Sequence, residues 1–191
     1  MSPAPTRLPD GDPDGTRSLG TSLMLVASAM MFGALLLLHF LLRRDGAGWP
    51  GGPPLPRGVA TLATGILLAS SLTMEFATRS VRGARLDRLP TWVGSTLAMG
   101  VIFLALVLWL WFEWTSGGHG ASGPRSRLFY VITAVHGAHL LTALGLLIWL
   151  LRGARKQRFH GRSAVAVRLV GRFWHFLGAA WLLIYLRLFW S

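Results

Sequence analysis

Long apolar stretches alternate along the chain with short polar segments that are rich in glycine, proline or arginine. The apolar stretches cover approximately residues 18–42, 59–78, 91–112, 128–151 and 164–190. Each is about 20 residues long or longer, and a helix of that length crosses the ~30 Å hydrocarbon core of a bilayer. The pattern therefore predicts an all-α membrane protein, with a bundle of five transmembrane helices within residues 18–191.

The segment before the first apolar stretch has a different composition. Residues 1–17, MSPAPTRLPDGDPDGTR, are rich in proline, glycine and aspartate and contain no apolar core. Such a segment cannot bury enough apolar surface to fold, so it predicts a disordered tail. It is also unlike a signal peptide, which has a central apolar region. We therefore divide the chain into a disordered cytosolic tail, 1–17, and a transmembrane domain, 18–191.

The basic residues lie between the apolar stretches and are divided unequally between the two sides of the predicted bundle. Of the 19 lysines and arginines, 13 lie on the side that holds the N-terminus, including the four from Arg79 to Arg88 and the seven from Arg152 to Arg172. The positive-inside rule then predicts a cytoplasmic N-terminus and an external C-terminus. The net charge is +12, but no soluble domain is predicted whose basic face could bind phosphates, so we expect no nucleic-acid partner.

Two histidines, His136 and His139, lie well inside the fourth stretch. At a rise of about 1.5 Å per residue they lie about 12 and 16 Å below the membrane surface, close to the midplane. Ionisable residues at that depth usually face a protein interior and often mark function. Because they are three residues apart, the two side chains share one face of the helix.

The chemistry of imidazole allows three interpretations of this pair. The first is that the two histidines bind haem iron. Haem ligands would need partners at the same depth on facing helices, but His175 is predicted near the inner end of the fifth helix and His39 near the outer end of the first. The pair could instead carry protons, or it could form hydrogen bonds to neighbouring helices, since polar groups in lipid must find partners. The sequence favours the last interpretation, and the other two stay open.

Glu75, close to the inner end of the second helix, has a similar pair of interpretations. Arg79 follows four residues later, in the order that favours an ion pair on a helix, and the alternative is proton transfer. The sequence has no cysteine, which excludes thiolate metal sites and thiol nucleophiles. It also shows no Ser/His/Asp set and no phosphate-binding glycine loop. We therefore predict no catalytic centre, metal site or cofactor site formed by this chain alone.

Short motifs in four of the helices occur in an order that is found in a known family. They are Leu19-Gly20 and Ser28 to Phe32 in the first helix, Leu67 to Thr73 in the second, His136-Gly137-Ala138-His139 in the fourth, and Phe173-Trp174-His175-Phe176 with Trp181 and Tyr185 in the fifth. Together with the glycine- and proline-rich segment Trp49 to Pro54, they resemble subunit III of the haem-copper oxidases in its short, five-helix form. The resemblance covers about residues 18–191.

The resemblance implies a non-catalytic subunit of a respiratory oxidase in the bacterial cytoplasmic membrane. Such a subunit binds no metal or haem, and haem and copper are expected in the partner catalytic subunit. The family also implies packing on catalytic subunit I and other oxidase subunits, phospholipids held in a cleft, and support for proton uptake and for the stability of the core. The residues expected in structural, interface or lipid-cleft roles are His136, His139, His175, Trp174, Glu75, Trp181 and Tyr185.

Two positions depart from the family pattern. Ala29 replaces a glutamate in the first helix, and Gly178 replaces an aspartate in the fifth. Both changes remove a carboxyl group from the polar interior. They argue against a proton-related role and leave open a subunit-III-like protein associated with a nitric oxide reductase. A protein related to subunit III that acts in oxidase assembly is a separate alternative. An independent membrane redox or transport protein is a further alternative.

Overall fold

The computed structural model describes residues 13–44, 55, 57–83, 85–117, 123–156 and 163–190. Within these ranges the chain forms five α-helices and one short 3-10 turn, Leu86–Arg88. The helices are α1 (Pro13–Arg44), α2 (Arg57–Arg82), α3 (Leu89–Ser116), α4 (Pro124–Arg155) and α5 (Ser163–Phe189). All five are long and apolar enough to cross a membrane, which confirms the predicted fold class. The sides on which the termini lie stay a prediction.

The helices extend beyond the predicted apolar stretches. α1 begins at Pro13, inside the segment predicted as a disordered tail, of which residues 1–12 lie outside the described residues. α4 likewise begins early, at Pro124. Proline is favoured in the first turn of a helix, and the arginines in the last turns of α1, α2 and α4 interact favourably with the helix dipole. Hydropathy finds only the part of a helix that matches the hydrocarbon core, so it underestimates helix length.

α5 holds a central place in the bundle. The helices α2, α3, α4 and α5 pack side by side in a closed ring, and α1 lies outside this ring against α4 and α5. In the most apolar part of α5, 56% of the residues are buried inside the bundle, whereas in that of α1 only 17% are buried. Large side chains of α1, among them Leu23, Val26 and Met30, consequently face outward. In a membrane such a face lies against lipid or against another chain.

Small residues allow α2 and α5 to approach closely. On α2, Ala60, Ala63 and Ala77 are at most 1% exposed. On α5, a Cβ atom added to Gly178 would lie only 3.3 Å from Ser71 Oγ. Close approach of backbones through small residues is a usual basis of helix association in membranes. A larger side chain at Gly178 would therefore press on α2.

Candidate functional site

His136 lies inside the bundle and is only 1% exposed. Aromatic rings from three other helices surround its imidazole: Phe32 of α1 and Phe103 of α3, each with its centroid 6.0 Å away, and Trp181 of α5 at 5.2 Å. These four residues, which we call the histidine cage, join four helices at one point. Aromatic contacts of this kind add to the stabilisation that burial alone provides.

The hydrogen bonding of His136 differs from the prediction. We expected hydrogen bonds to neighbouring helices, but within the described residues neither Nδ1 nor Nε2 has a hydrogen-bond partner. The reason is that the neighbouring helices direct rings towards the imidazole, and none of the three rings carries a group that could accept its proton. In this position the imidazole acts as a packing group.

His139 does bond to a neighbouring helix, as predicted. Its Nδ1 lies 2.9 Å from the Val135 carbonyl oxygen of the same helix, and its Nε2 lies 3.4 Å from Ser28 Oγ of α1. A carbonyl can only accept, so Nδ1 carries the proton and Nε2 accepts from the Ser28 hydroxyl. The His139 ring also lies 5.4 Å from that of Phe32, centroid to centroid. His136 and His139 therefore both contact α1, one through rings alone and the other through rings and a hydroxyl.

Buried aromatic side chains of α5 form hydrogen bonds with hydroxyls of α2. The pairs are Trp174 Nε1 with Ser70 Oγ (3.1 Å), Trp181 Nε1 with Thr64 Oγ1 (3.0 Å) and Tyr185 Oη with Thr61 Oγ1 (2.7 Å). We call these three pairs the hydroxyl ladder. Its rungs follow the two antiparallel helices and fix their relative rotation.

The direction of each bond in the hydroxyl ladder follows from the second contact of each hydroxyl. Thr61, Thr64 and Ser70 each donate to a carbonyl of their own helix, at 2.8, 2.8 and 2.7 Å. Their oxygens are then left to accept from α5, and the indole N–H groups can only donate. The donors and acceptors of these three pairs are thus matched within the protein, as the interior of a membrane protein requires.

We expect Tyr185→Phe to lower the free energy of unfolding by about 0.6 kcal/mol, the average for a hydrogen bond between membrane helices. The change removes only the hydroxyl that donates to Thr61 and keeps the ring contact with Phe189. Unfolding of the purified chain in mixed micelles with rising SDS, followed by circular dichroism, measures the loss. Tyr130→Phe is the matched control, because Tyr130 bonds to Thr115 at the same distance, 2.7 Å, but in an exposed position. Equal losses in both variants would contradict the ladder's role.

Glu75 and His175 lie apart from the histidine cage. Arg79 Nε donates to Glu75 Oε1 at 2.9 Å, which confirms the predicted ion pair within α2. The two side chains are 67% and 38% exposed, so this pair contributes little to stability. His175 is half-buried on α5. In the part of the chain that the structure describes, neither Glu75 nor His175 forms a hydrogen bond or a ring contact with His136 or His139.

The structure places most of the candidate residues in the hydroxyl ladder or in and beside the histidine cage. Trp174, Trp181 and Tyr185 join α5 to α2, and Trp181 also belongs to the histidine cage. Within the described residues, no three His, Cys, Asp or Glu side chains are placed so that they could hold a metal ion. These contacts hold the helices in a defined register.

Sequence reasoning missed several members of the site. Phe103 is an ordinary apolar residue in an apolar stretch, and Phe32 was noted only as the last residue of the first-helix motif, so nothing in the sequence placed either ring beside His136. Two of the ladder residues, Thr61 and Thr64, did carry a signal. They are three residues apart and share a face of α2, and hydroxyls so placed within a span predict a polar contact with a neighbouring helix. Ser70 lies six residues beyond Thr64 and is turned about 120° away from it around the helix.

A comparison with protein families and a comparison with individual proteins both match this chain to cytochrome c oxidase subunit III. The family model for cytochrome c oxidase subunit III matches residues 15–191. Cytochrome c oxidase subunit 3 of Thermostichus vulcanus is 27% identical over 91% of this chain and 86% of its own length. The protein of the same name from Synechocystis sp. (strain ATCC 27184 / PCC 6803 / Kazusa) is 29% identical over 94% and 77%. The probable cytochrome c oxidase subunit 3 of Mycobacterium tuberculosis (strain ATCC 25618 / H37Rv) is 30% identical over 88% and 84%.

The match extends across all five helices apart from the first two residues of α1. It includes His136, His139, Trp174 and Trp181, the motif residues around which the bundle is packed. The relatives are also covered along most of their own length, so the likeness is not that of a shared fragment. The chain belongs to the cytochrome c oxidase subunit III family.

Proposed function

We propose that this chain is the non-catalytic accessory subunit III of a bacterial respiratory haem-copper oxidase. The observation that carries the proposal is the family match over residues 15–191, together with relatives that are named as cytochrome c oxidase subunits. In this proposal the chain lies in the cytoplasmic membrane with its N-terminus inside. It packs on catalytic subunit I, which holds the haem and copper, and it supports the stability, lipid binding and proton uptake of that core.

The geometry of the histidine cage supports an accessory role. His136 touches rings from α1, α3 and α5 and has no hydrogen-bond partner within the described residues. A group in that setting holds helices together through its ring contacts. The bundle is thereby a firmly packed body with an exposed apolar face on α1. Such a body is suited to packing against a larger membrane protein.

Ala29 and Gly178 favour a second candidate, a subunit-III-like protein that accompanies a nitric oxide reductase. Ala29 is exposed on α1, and Gly178 is buried beside Ser71. Neither position carries the carboxyl group of the family pattern. Glu75 does not replace them in the interior, because it is paired with Arg79 on the surface of α2. The two candidates differ in the catalytic chain that this protein accompanies.

Purification of the native complex through an affinity tag on this chain separates the candidates. We expect peptides of an oxygen-reducing haem-copper subunit in stoichiometric amount, and the absorbance of its haems in the same fraction. Recovery of a nitric oxide reductase catalytic subunit instead would support the second candidate. Recovery of the tagged chain without any haem-copper subunit would overturn both candidates. A separate experiment, deletion of this chain, would indicate an assembly factor if it slows assembly but leaves the mature oxidase unchanged.

We expect His136→Ala and His139→Ala to leave the haem spectrum of the complex unchanged and to weaken retention of this subunit. His139→Ala removes the contact with Ser28, and His136→Ala opens a gap between three rings, so each variant loosens α1 from the bundle. Retention is measured by washing the immobilised complex with detergent and quantifying the subunit that remains. The time for which the oxidase stays active under turnover is expected to shorten in parallel.

Thr142→Ala is a suitable control for both variants. Thr142 lies on the same helix, is exposed, and donates only to the Ala138 carbonyl of its own helix, at 3.1 Å. We expect retention in this control to equal that of the wild type. A changed haem spectrum in either histidine variant, in a complex that still contains all its subunits, would contradict a purely accessory role.

A further inference from the structure

The end of the bundle that holds the last turn of α5 is strongly basic. Because successive helices run in opposite directions, the last turns of α1, α3 and α5 lie at this end with the first turns of α2 and α4. The sequence of the segments at this end contains six arginines and two acidic residues, Asp45 and Glu113, which leaves a net charge of +4. We call the six basic residues the arginine face: Arg43, Arg44, Arg57, Arg125, Arg127 and Arg187.

Neither membrane topology nor the helix dipole accounts for the arginine face. The positive-inside rule explains an excess of basic residues on one side of the membrane, and that excess lies at the opposite end, with 13 of the 19 lysines and arginines. Arg57 and Arg125 lie in the first turns of α2 and α4, where the helix dipole disfavours a positive charge. Like charges gathered at one end also repel one another, and an anionic partner would relieve that repulsion.

Two arginines of this face are stacked on aromatic rings that join α5 to its neighbours. The guanidinium carbon of Arg57 on α2 lies 5.5 Å from the centre of the Trp190 ring. That of Arg187 on α5 lies 4.8 Å from the centre of the Phe40 ring on α1. Both are cation–π contacts, which use the flat face of the guanidinium, whereas a carboxylate binds to its N–H edge. The rings therefore hold two cations in place and reduce the entropy that a partner loses on binding them.

The two rings are themselves exposed among the arginines. Trp190 is 63% exposed and Phe40 is 42% exposed. Arginine and tryptophan are enriched among the residues that contribute most to the affinity of protein interfaces. Aromatic residues and arginine are also enriched at such interfaces as a whole, while other charged residues are depleted. The composition of this surface is thus that of a protein-binding surface.

The place of α5 in the bundle favours a polypeptide over a lipid headgroup as the partner. Lipids surround a membrane protein at its perimeter, but α5 has α1, α2 and α4 as neighbours, and Arg187 is half-buried. Packed helices lie about 8–10 Å apart, so the face extends roughly 20 Å from α2 across α5 to α1. A polypeptide that lies across the end of the bundle can contact all of these helices together, and one headgroup cannot.

We propose that the arginine face binds an acidic segment of a polypeptide on the outer side of the membrane. Its carboxylates pair with the guanidinium groups, and its apolar side chains cover Phe40 and Trp190. The outer side is that of the predicted orientation. The proposal concerns the surface of this chain and holds whichever catalytic subunit the chain accompanies.

The test uses the full-length chain in nanodiscs of phosphatidylcholine, whose headgroups carry no net charge. The probe is a short glutamate peptide that contains one photoreactive phenylalanine, and the labelled residues are located by mass spectrometry. We expect labels near Phe40 and Trp190 that persist at about 0.15 M salt, where the Debye length is about 8 Å. Labels at the opposite end depend on long-range attraction alone and should be lost at this salt concentration.

Substitutions on the arginine face should weaken this label. We expect Arg57→Gln and Arg187→Gln each to lower it about three- to fivefold, the effect of losing an exposed ion pair. Trp190→Ala should also lower it, because it removes one ring and the support of Arg57. The matched controls are Arg82→Gln and Arg155→Gln, which neutralise exposed arginines at the opposite end and should leave the label unchanged.

Arg44→Gln makes the test independent of folding. Arg44 is exposed in the last turn of α1, so its substitution disturbs no buried group, and it should lower the label by a similar factor. A label that salt removes as completely as at the opposite end, or that these substitutions leave unchanged, would overturn the proposal. Loss of the label when phosphatidylglycerol replaces part of the phosphatidylcholine would also overturn it, because lipid headgroups would then occupy the arginines.

Discussion

Trp181→Ala is expected to lower the free energy of unfolding of the bundle by roughly 2–4 kcal/mol. Truncation of a buried tryptophan costs about 3–5 kcal/mol in soluble proteins, where lost burial from water and the remaining cavity both contribute. Between membrane helices the transfer from water is largely absent, but the lost packing contacts and the cavity remain. Trp181 is fully buried, so the larger part of that cost should persist.

Truncation of Trp181 should disturb the packing of several helices, because its side chain contacts three of them. Its ring lies edge-on to Phe103 of α3, with centroids 4.8 Å apart, and 5.2 Å from His136 of α4. Its indole N–H also forms the middle rung of the hydroxyl ladder, with Thr64 of α2. Truncation therefore opens the histidine cage and breaks one rung at the same time. Contacts with three other helices are lost together.

Unfolding in mixed micelles with rising SDS measures this prediction, with Trp109→Ala as the control. Trp109 is 57% exposed on α3, so its truncation removes a similar area that faces lipid and leaves no internal cavity. We expect Trp109→Ala to change the free energy of unfolding by no more than a few tenths of a kcal/mol, as is usual for surface changes. A Trp181→Ala variant as stable as Trp109→Ala would refute the central role of Trp181.

Gly100→Ala is expected to destabilise the bundle by about 1–3 kcal/mol, although it adds only one methyl group. A Cβ atom at Gly100 of α3 would lie 2.6 Å from Cη2 of Trp174 and 2.8 Å from Cδ2 of Leu144. The leucine methyl could rotate away. The tryptophan ring is rigid, buried and tied to Ser70 at 3.1 Å, so it could move only by disturbing the hydroxyl ladder.

The same substitution at another glycine of α3 tests this prediction. A Cβ atom at Gly94 would have Leu151 Cδ1 as its nearest neighbour, at 3.9 Å, which is an ordinary contact. Gly94→Ala should therefore be neutral or slightly stabilising, because alanine favours a helix over glycine. Trp174→Phe removes the ring atoms that clash, so Gly100→Ala should cost less in that background than in the wild type. Equal effects at Gly94 and Gly100 would contradict the close contact.

The hydroxyl ladder and the histidine cage together describe how the motif residues act. Trp174, Trp181 and Tyr185 tie α5 to α2, and His136 and His139 tie α4 to α1. None of these contacts needs a carboxyl group.

Some features of the protein follow from local sequence alone. The number and approximate places of the helices were predicted because a membrane helix satisfies its backbone hydrogen bonds within itself, so about 20 apolar residues suffice to specify it. The Glu75–Arg79 pair was predicted for a similar reason, since four residues on a helix bring two side chains together without help from other helices. The order of the motifs was enough to indicate the family.

Other features were decided only by the tertiary structure. Ser70 and Trp174 bond across 104 residues of sequence, and Ser28 and His139 across 111. Such contacts depend on how each helix is rotated and on which helix lies beside it, and hydropathy carries no information on either. For that reason His136 and His139 looked equivalent in the sequence, yet one is enclosed by rings and the other bonds to a hydroxyl. Composition determined that these residues lie in membrane helices, and the packing of five helices against one another decided what each side chain contacts.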